Sequence, residues 1–117
     1  MASTDYVPNA VEPSSDLVAS GDSFTVTVAV HPCLSTDPTA SSQDIDVTLS
    51  YAVVGGGTVP LTSPPTTVTI ASGQTSGSTS SIGTTTVTAE TVVRITATRT
   101  TPNCGTVAAT ADVTIQP

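Results

Sequence analysis

Phe24-Thr25-Val26-Thr27-Val28-Ala29-Val30-His31 alternates apolar with small or polar side chains for eight residues. Successive side chains of a β-strand point to opposite faces, so Phe24, Val26, Val28 and Val30 share one face, and Thr25, Thr27, Ala29 and His31 the other. This is the signature of a strand with one dry side and one wet side. The pattern recurs at Ile45, Val47, Leu49 and Tyr51, set against Asp44, Asp46, Thr48 and Ser50. Near the end of the chain Val93, Ile95 and Ala97 alternate with Arg94, Thr96 and Thr98. Val107, Ala109, Ala111, Val113 and Ile115 then alternate with Ala108, Thr110, Asp112 and Thr114. Shorter strands are predicted at 58–61, 66–70 and, over ground poor in apolar residues, 78–82. Turn signals separate them: Pro32, Asp37-Pro38 and a Ser/Thr cluster within 31–43, and Gly55-Gly56-Gly57 further on.

No helical periodicity interrupts this series, and strands spaced by about ten residues point to a sandwich. The expected fold is all-β: a single immunoglobulin-like β-sandwich of about seven antiparallel strands with Greek-key connections, spanning residues 17–117. Residues 1–16, which carry Pro8 and Pro13 among polar neighbours, read as an extended N-terminal arm or an irregular first strand.

Composition agrees with this reading. The chain has 117 residues, enough for one two-layer core, and its 37% hydrophobic fraction is mostly Val and Ala, with no Trp and one Met. β-Branched side chains suit a pleated, half-buried surface, and regular alternation argues against disorder in so Ser/Thr-rich a chain. Nine acidic residues face two basic ones, Arg94 and Arg99, giving a formal charge of −7. Binding to a phosphate backbone or an anionic membrane draws on several Lys or Arg side chains, so nucleic acid and membrane are excluded as partners. The absence of Lys removes the usual protection of sheet edges and favours a protein whose edges are covered in an assembly. The start, Met1-Ala2-Ser3-Thr4-Asp5, lacks a secretory signal, and no stretch is long and apolar enough to span a membrane. Taken at face value the chain is a complete small gene product that reaches its site without export; a leader replaced by Met1 is the alternative.

The segment Val68-Thr69-Ile70-Ala71-Ser72-Gly73-Gln74-Thr75-Ser76-Gly77 resembles the strand-turn-strand signature of bacterial and phage immunoglobulin-like modules, including those similar to Calx-β domains. The resemblance implies the same sandwich fold. The acidic calcium cluster of Calx-β domains is not recognisable here, so no metal site is carried over. Within an immunoglobulin-like arrangement, the loop after the strand at 24–30 and the loop between the last two strands lie at one pole. Cys33 and Cys104 occupy those loops and are expected to form a disulfide, the alternative being two separate thiols in a reducing compartment. With one His they are too few to ligate zinc.

Catalysis finds no support in the residue pattern. His31 sits on a wet face beside Pro32, Ser76 and Ser78 flank Gly77 in what reads as a flexible turn, and Asp44 and Asp46 lie on a solvated face. Asp37, Asp44 and Asp46 lie close in sequence, but a calcium site needs six or more oxygens, and a solvated acidic patch near one pole is the favoured reading. Three aromatics, Tyr6, Phe24 and Tyr51, are too few for a carbohydrate platform. No catalytic residue, metal site or cofactor is therefore expected.

The remaining candidate is the arm. Ala2, Tyr6, Val7, Ala10 and Val11, set between prolines, read as a segment that lies along a partner and adds a strand to it. The expected function is that of a non-enzymatic structural protein: a phage capsid decoration protein or similar accessory on a virion surface, bound to the major capsid protein of the shell. Oligomers on the particle are compatible with this. The alternative is an immunoglobulin-like module of an extracellular or cell-surface adhesin, binding through the pole that carries the cysteines. A secreted carbohydrate- or calcium-binding module is the third class. If the arm docks, deleting residues 1–13 is expected to abolish attachment and leave a folded domain.

Overall fold

The computed structural model describes residues 5–34 and 40–117. Among these residues there is no helix, and eleven strands follow one another: β1 (Tyr6–Pro13), β2 (Leu17–Ala19), β3 (Ser23–Phe24), β4 (Val26–Pro32), β5 (Ile45–Val53), β6 (Leu61–Thr62), β7 (Thr67–Ile70), β8 (Ser76–Ser78), β9 (Ile82–Thr84), β10 (Thr91–Thr101) and β11 (Gly105–Gln116). The protein is all-β, as the alternation predicts. One sheet has five strands in the order β2-β11-β10-β5-β7, and two three-stranded sheets run β1-β4-β8 and β3-β9-β6. The two smaller sheets continue one another where Thr79 bridges the gap. Its backbone N donates to the Val26 carbonyl at 2.9 Å, and its Oγ1 accepts from the Val26 N at 3.0 Å.

Side-chain period decides which residues meet. Phe24, Val26, Val28, Val30 and Ile82 line the smaller sheets, and Ile45, Val47, Leu49, Val93, Ile95, Ala97, Val113 and Ile115 line the larger one; together they form a single buried cluster. Sheets that pack their apolar faces on a common core make a sandwich-like body. At about 1.5–3 kcal/mol for each fully buried aliphatic side chain, this shared core is the principal stabilising term.

The short elements differ from expectation in position. Instead of 58–61 the structure pairs Leu61–Thr62 with β9, and instead of one strand at 78–82 it forms β8 and β9 on either side of Thr79. Ser76, Gly77 and Ser78 are therefore not a flexible turn; they pair with Thr27, Val28 and Ala29 of β4. Gly77 faces Val28, and a Cβ built on it would lie 2.8 Å from the Thr69 carbonyl oxygen of β7. Only a residue without a side chain lets β7 and β8 approach so closely. The N-terminal segment is a regular partner of β4 except at Asn9, where the pairing slips by one residue. Pro8 and Pro13 are tolerated because β1 is the edge strand of its sheet.

Tyr51 ends the inward series of β5 half-buried, its hydroxyl donating to the Pro65 carbonyl at 2.7 Å. Desolvation by burial pushes its pKa from 10.0 up to about 12.

Gly77→Ala is expected to destabilise by about 1–3 kcal/mol, the usual cost of overpacking. Gly83→Ala, whose Cβ would meet Thr62 at an ordinary 3.6 Å, should stay within about 0.5 kcal/mol of wild type. Chemical denaturation of both variants checks this. The Tyr51 shift also has a pH consequence. The unfolded chain loses that phenolic proton near pH 10 while the folded chain holds it to about pH 12, so stability is intact below pH 10 and falls between pH 10 and 12. Tyr51→Phe should flatten that fall in an alkaline series of thermal melts, and tyrosinate absorbance should show Tyr51 titrating late.

Candidate partner-binding surfaces

The pole at which β4 ends is built around a covalent tie. Cys33, just past β4, is bonded to Cys104 in the β10–β11 turn, with Cα atoms 6.0 Å apart and a sequence separation of 71. The turn is tight because Gly105 adopts the left-handed conformation, at φ +65°, and pairs back onto Thr101. The Cys104 N donates to the Thr101 Oγ1 at 3.1 Å. The disulfide expected from the two loop cysteines is thus present, and both half-cystines are half-buried.

The start of β1 is held at the same pole. The Cys33 N donates to the Asp5 carbonyl at 2.7 Å, and the Asn103 side chain donates to the Asp5 Oδ2. Arg99 donates from Nη1 to the Tyr6 carbonyl at 2.9 Å and from Nε to the Asp46 carbonyl at 3.1 Å. Asp5 is 1% exposed, and its Oδ1 has no hydrogen-bond partner. Burial of a carboxylate with an unmet oxygen is costly, so the surrounding ties must hold it in place.

The arm residues expected to meet a partner are distributed differently. Tyr6 and Val11 join the main core, Val7 is buried outside that cluster, Ala10 is half-buried, and Ala2 lies outside the described residues. In this conformation the three large side chains serve the chain's own interior. The slip at Asn9 accounts for it: Tyr6 and Pro8 face in with Pro32 and Val30, and the extra residue resets the phase so that Val11 faces in opposite Val28. Removing residues 1–13 would therefore take a strand and two core side chains with it, contrary to the expectation of a folded remainder.

Exposed apolar side chains lie elsewhere. Leu34, beside Cys33, is 67% exposed. At the other end of the five-stranded sheet a transverse row runs Leu17, Thr114 and Val92 across β2, β11 and β10 to Val54, just past the end of β5, with Leu17 52% and Val54 49% exposed. Between the poles the outer face of this sheet carries Thr48, Ser50, Thr96, Thr98, Ala108 and Thr110. Arg94 and Asp112 form an exposed ion pair at 3.0 Å, which draws the Asp112 carboxyl below its ordinary range.

The residues weighed for chemistry are engaged structurally. His31 Nδ1 donates to the Pro32 carbonyl at 2.8 Å. The Asp44 carboxylate accepts from the Ser72 N, and that of Asp46 from the Thr69 hydroxyl. Asp37 lies outside the described residues. Among the described residues no three His, Cys, Asp or Glu side chains gather to hold a metal ion.

Leu17, Val54, Asp5 and Arg99 were not singled out by the sequence. Arg99 carried a signal, since it continues the inward phase of Val93, Ile95 and Ala97. Leu17 and Val54 carried none: each adjoins a valine at a strand end, so alternation does not say which of the two faces out. The chain matches no known family model and no curated protein.

Loss of the disulfide in a Cys33→Ser/Cys104→Ser variant is expected to cost about 2–4 kcal/mol, because the bond closes a long loop in the unfolded chain. Urea denaturation of oxidised and variant protein measures it.

Proposed function

We propose that the chain is an immunoglobulin-like sandwich with Greek-key connections that works by binding, without catalysis, as a decoration protein on the outer surface of a virus capsid. The fold reading is supported by the way the chain changes sheets. β1 pairs antiparallel with β4, whereas β2, a few residues on, pairs parallel with β11 at the edge of the other sheet. Sequence neighbours then alternate between layers, β4 to β5 and β9 to β10, as Greek-key sandwiches require.

The observation that carries the binding reading is the disulfide pole. Leu34 stands exposed on a loop anchored by a covalent bond, at the end of the molecule where the chain enters β1. An apolar anchor on a rigid support forms contacts at low entropic cost. The partner is the major capsid protein, met by this pole and by residues 1–4. The acidic charge keeps the rest of the surface solvated and away from nucleic acid.

A second reading, a module of an extracellular adhesin, is favoured by the same disulfide, since such bonds persist in oxidising surroundings.

Two variants test the first reading: deletion of residues 2–4, and Leu34→Asp. Each is expected to lower affinity for intact particles by about tenfold or more, a loss near 1.4 kcal/mol, in co-sedimentation, with thermal melting little changed. Unaltered co-sedimentation of both variants would overturn it. Recovery of the polypeptide from native material as part of a long surface protein would replace it with the adhesin reading.

A further inference from the structure

We infer that the Cys33–Cys104 disulfide is a redox-sensitive latch on the N-terminal strand: reduction releases Asp5 to Pro8 from the body while the two layers stay folded. Two of the ties on Asp5 come from the loops the bond joins. The Cys33 backbone N holds its carbonyl, and Asn103, next to Cys104, holds its carboxylate. The Cys33 N continues the β1–β4 pairing by one rung and Asn103 sits in the β10–β11 turn; the covalent link is what ties these two donors to each other. Asp5 is 1% exposed with one carboxylate oxygen unpartnered, so this end of β1 leaves for water readily once its donors move.

The strand is also divided where release would stop. Pro8 has no N–H to donate, and the pairing with β4 slips at Asn9. Beyond the slip, Ala10 to Pro13 keep their register against Val26 to Ala29, and Val11 stays in the core. A ladder interrupted in this way opens in two units. The Arg99 donation to the Tyr6 carbonyl and the burial of Tyr6 and Val7 do not involve the bond directly, and release must overcome them as well.

The reaction is thiol–disulfide exchange with a small dithiol. One reagent thiolate attacks a half-cystine sulfur, breaking the S–S bond and expelling the other cysteine as a thiolate that takes up a proton. The second reagent thiol then displaces the first cysteine. The protein gains two electrons and two protons, and the reagent leaves as its cyclic disulfide. Both half-cystines are half-buried.

The test compares the full chain oxidised, reduced with dithiol, and reoxidised, by NMR backbone order parameters. In the oxidised protein Asp5 to Val7 should be as rigid as Val93 to Ala97, near 0.85, and after reduction they should fall below about 0.6 while Val93 to Ala97 hold their value. Reoxidation should restore them. Asn103→Ala with the bond intact should loosen Asp5 alone. The proposal is overturned if Asp5 to Val7 stay rigid on reduction, or if order is lost evenly across β5, β10 and β11, which would make the bond a support of the whole fold.

Discussion

Eleven consecutive residue pairs, from Thr91 opposite Ile115 to Thr101 opposite Gly105, join β10 to β11 without a slip, and β5 continues the same phase on the other side of β10. The other strands are placed relative to this ladder. Because the side-chain period is two, a shift of one residue would turn Val93, Ile95 and Ala97 outward and bring Arg94, Thr96 and Thr98 in. With only three aromatic residues in the chain, the core is assembled from many β-branched side chains of modest area. No single residue can offset a wrong register, so the register has to be right along the full length of the hairpin.

That dependence explains what could be read from the sequence. Strands in which alternation persists for six residues or more, β4, β5, β10 and β11, are visible because a run of inward positions carries apolar side chains; in β10 that run is Val93, Ile95 and Ala97, before Arg99 and Thr101. Between Ser72 and Thr86 the signal fails for a different reason. Gly77 occupies an inward position with no side chain, so contact there is made by backbone meeting backbone, which periodicity does not register. The first strand fails through a change of phase: Tyr6 and Val11 face the same side although five residues apart, because of the extra residue at Asn9. The pairing of Cys33 with Cys104 was legible, since it needed only two loops at one pole. The burial of Asp5 was not, because composition argues against burying a carboxylate and only the completed pole supplies its donors.

A chain without lysine also raises the question of how it keeps its sheet edges from pairing with other chains. The structure answers edge by edge. β2 and β6 are three and two residues long. β1 carries two prolines and a slip in its pairing, and it lies against β10 and β11. β7 has Gly77 of β8 pressed against its Thr69 carbonyl. Shortness, proline, irregular pairing and close approach do here what charged gatekeepers do in other sheets. The acidic, lysine-free composition therefore does not demand a partner along an edge. The proposed docking rests instead on the poles, where apolar side chains stand out of the fold: Leu34 on the loop fixed by the disulfide, and Leu17 and Val54 at the other end of the five-stranded sheet. The disulfide pole is the better founded of the two, because there the exposed side chain, the covalent anchor and the entry of the chain into β1 lie together.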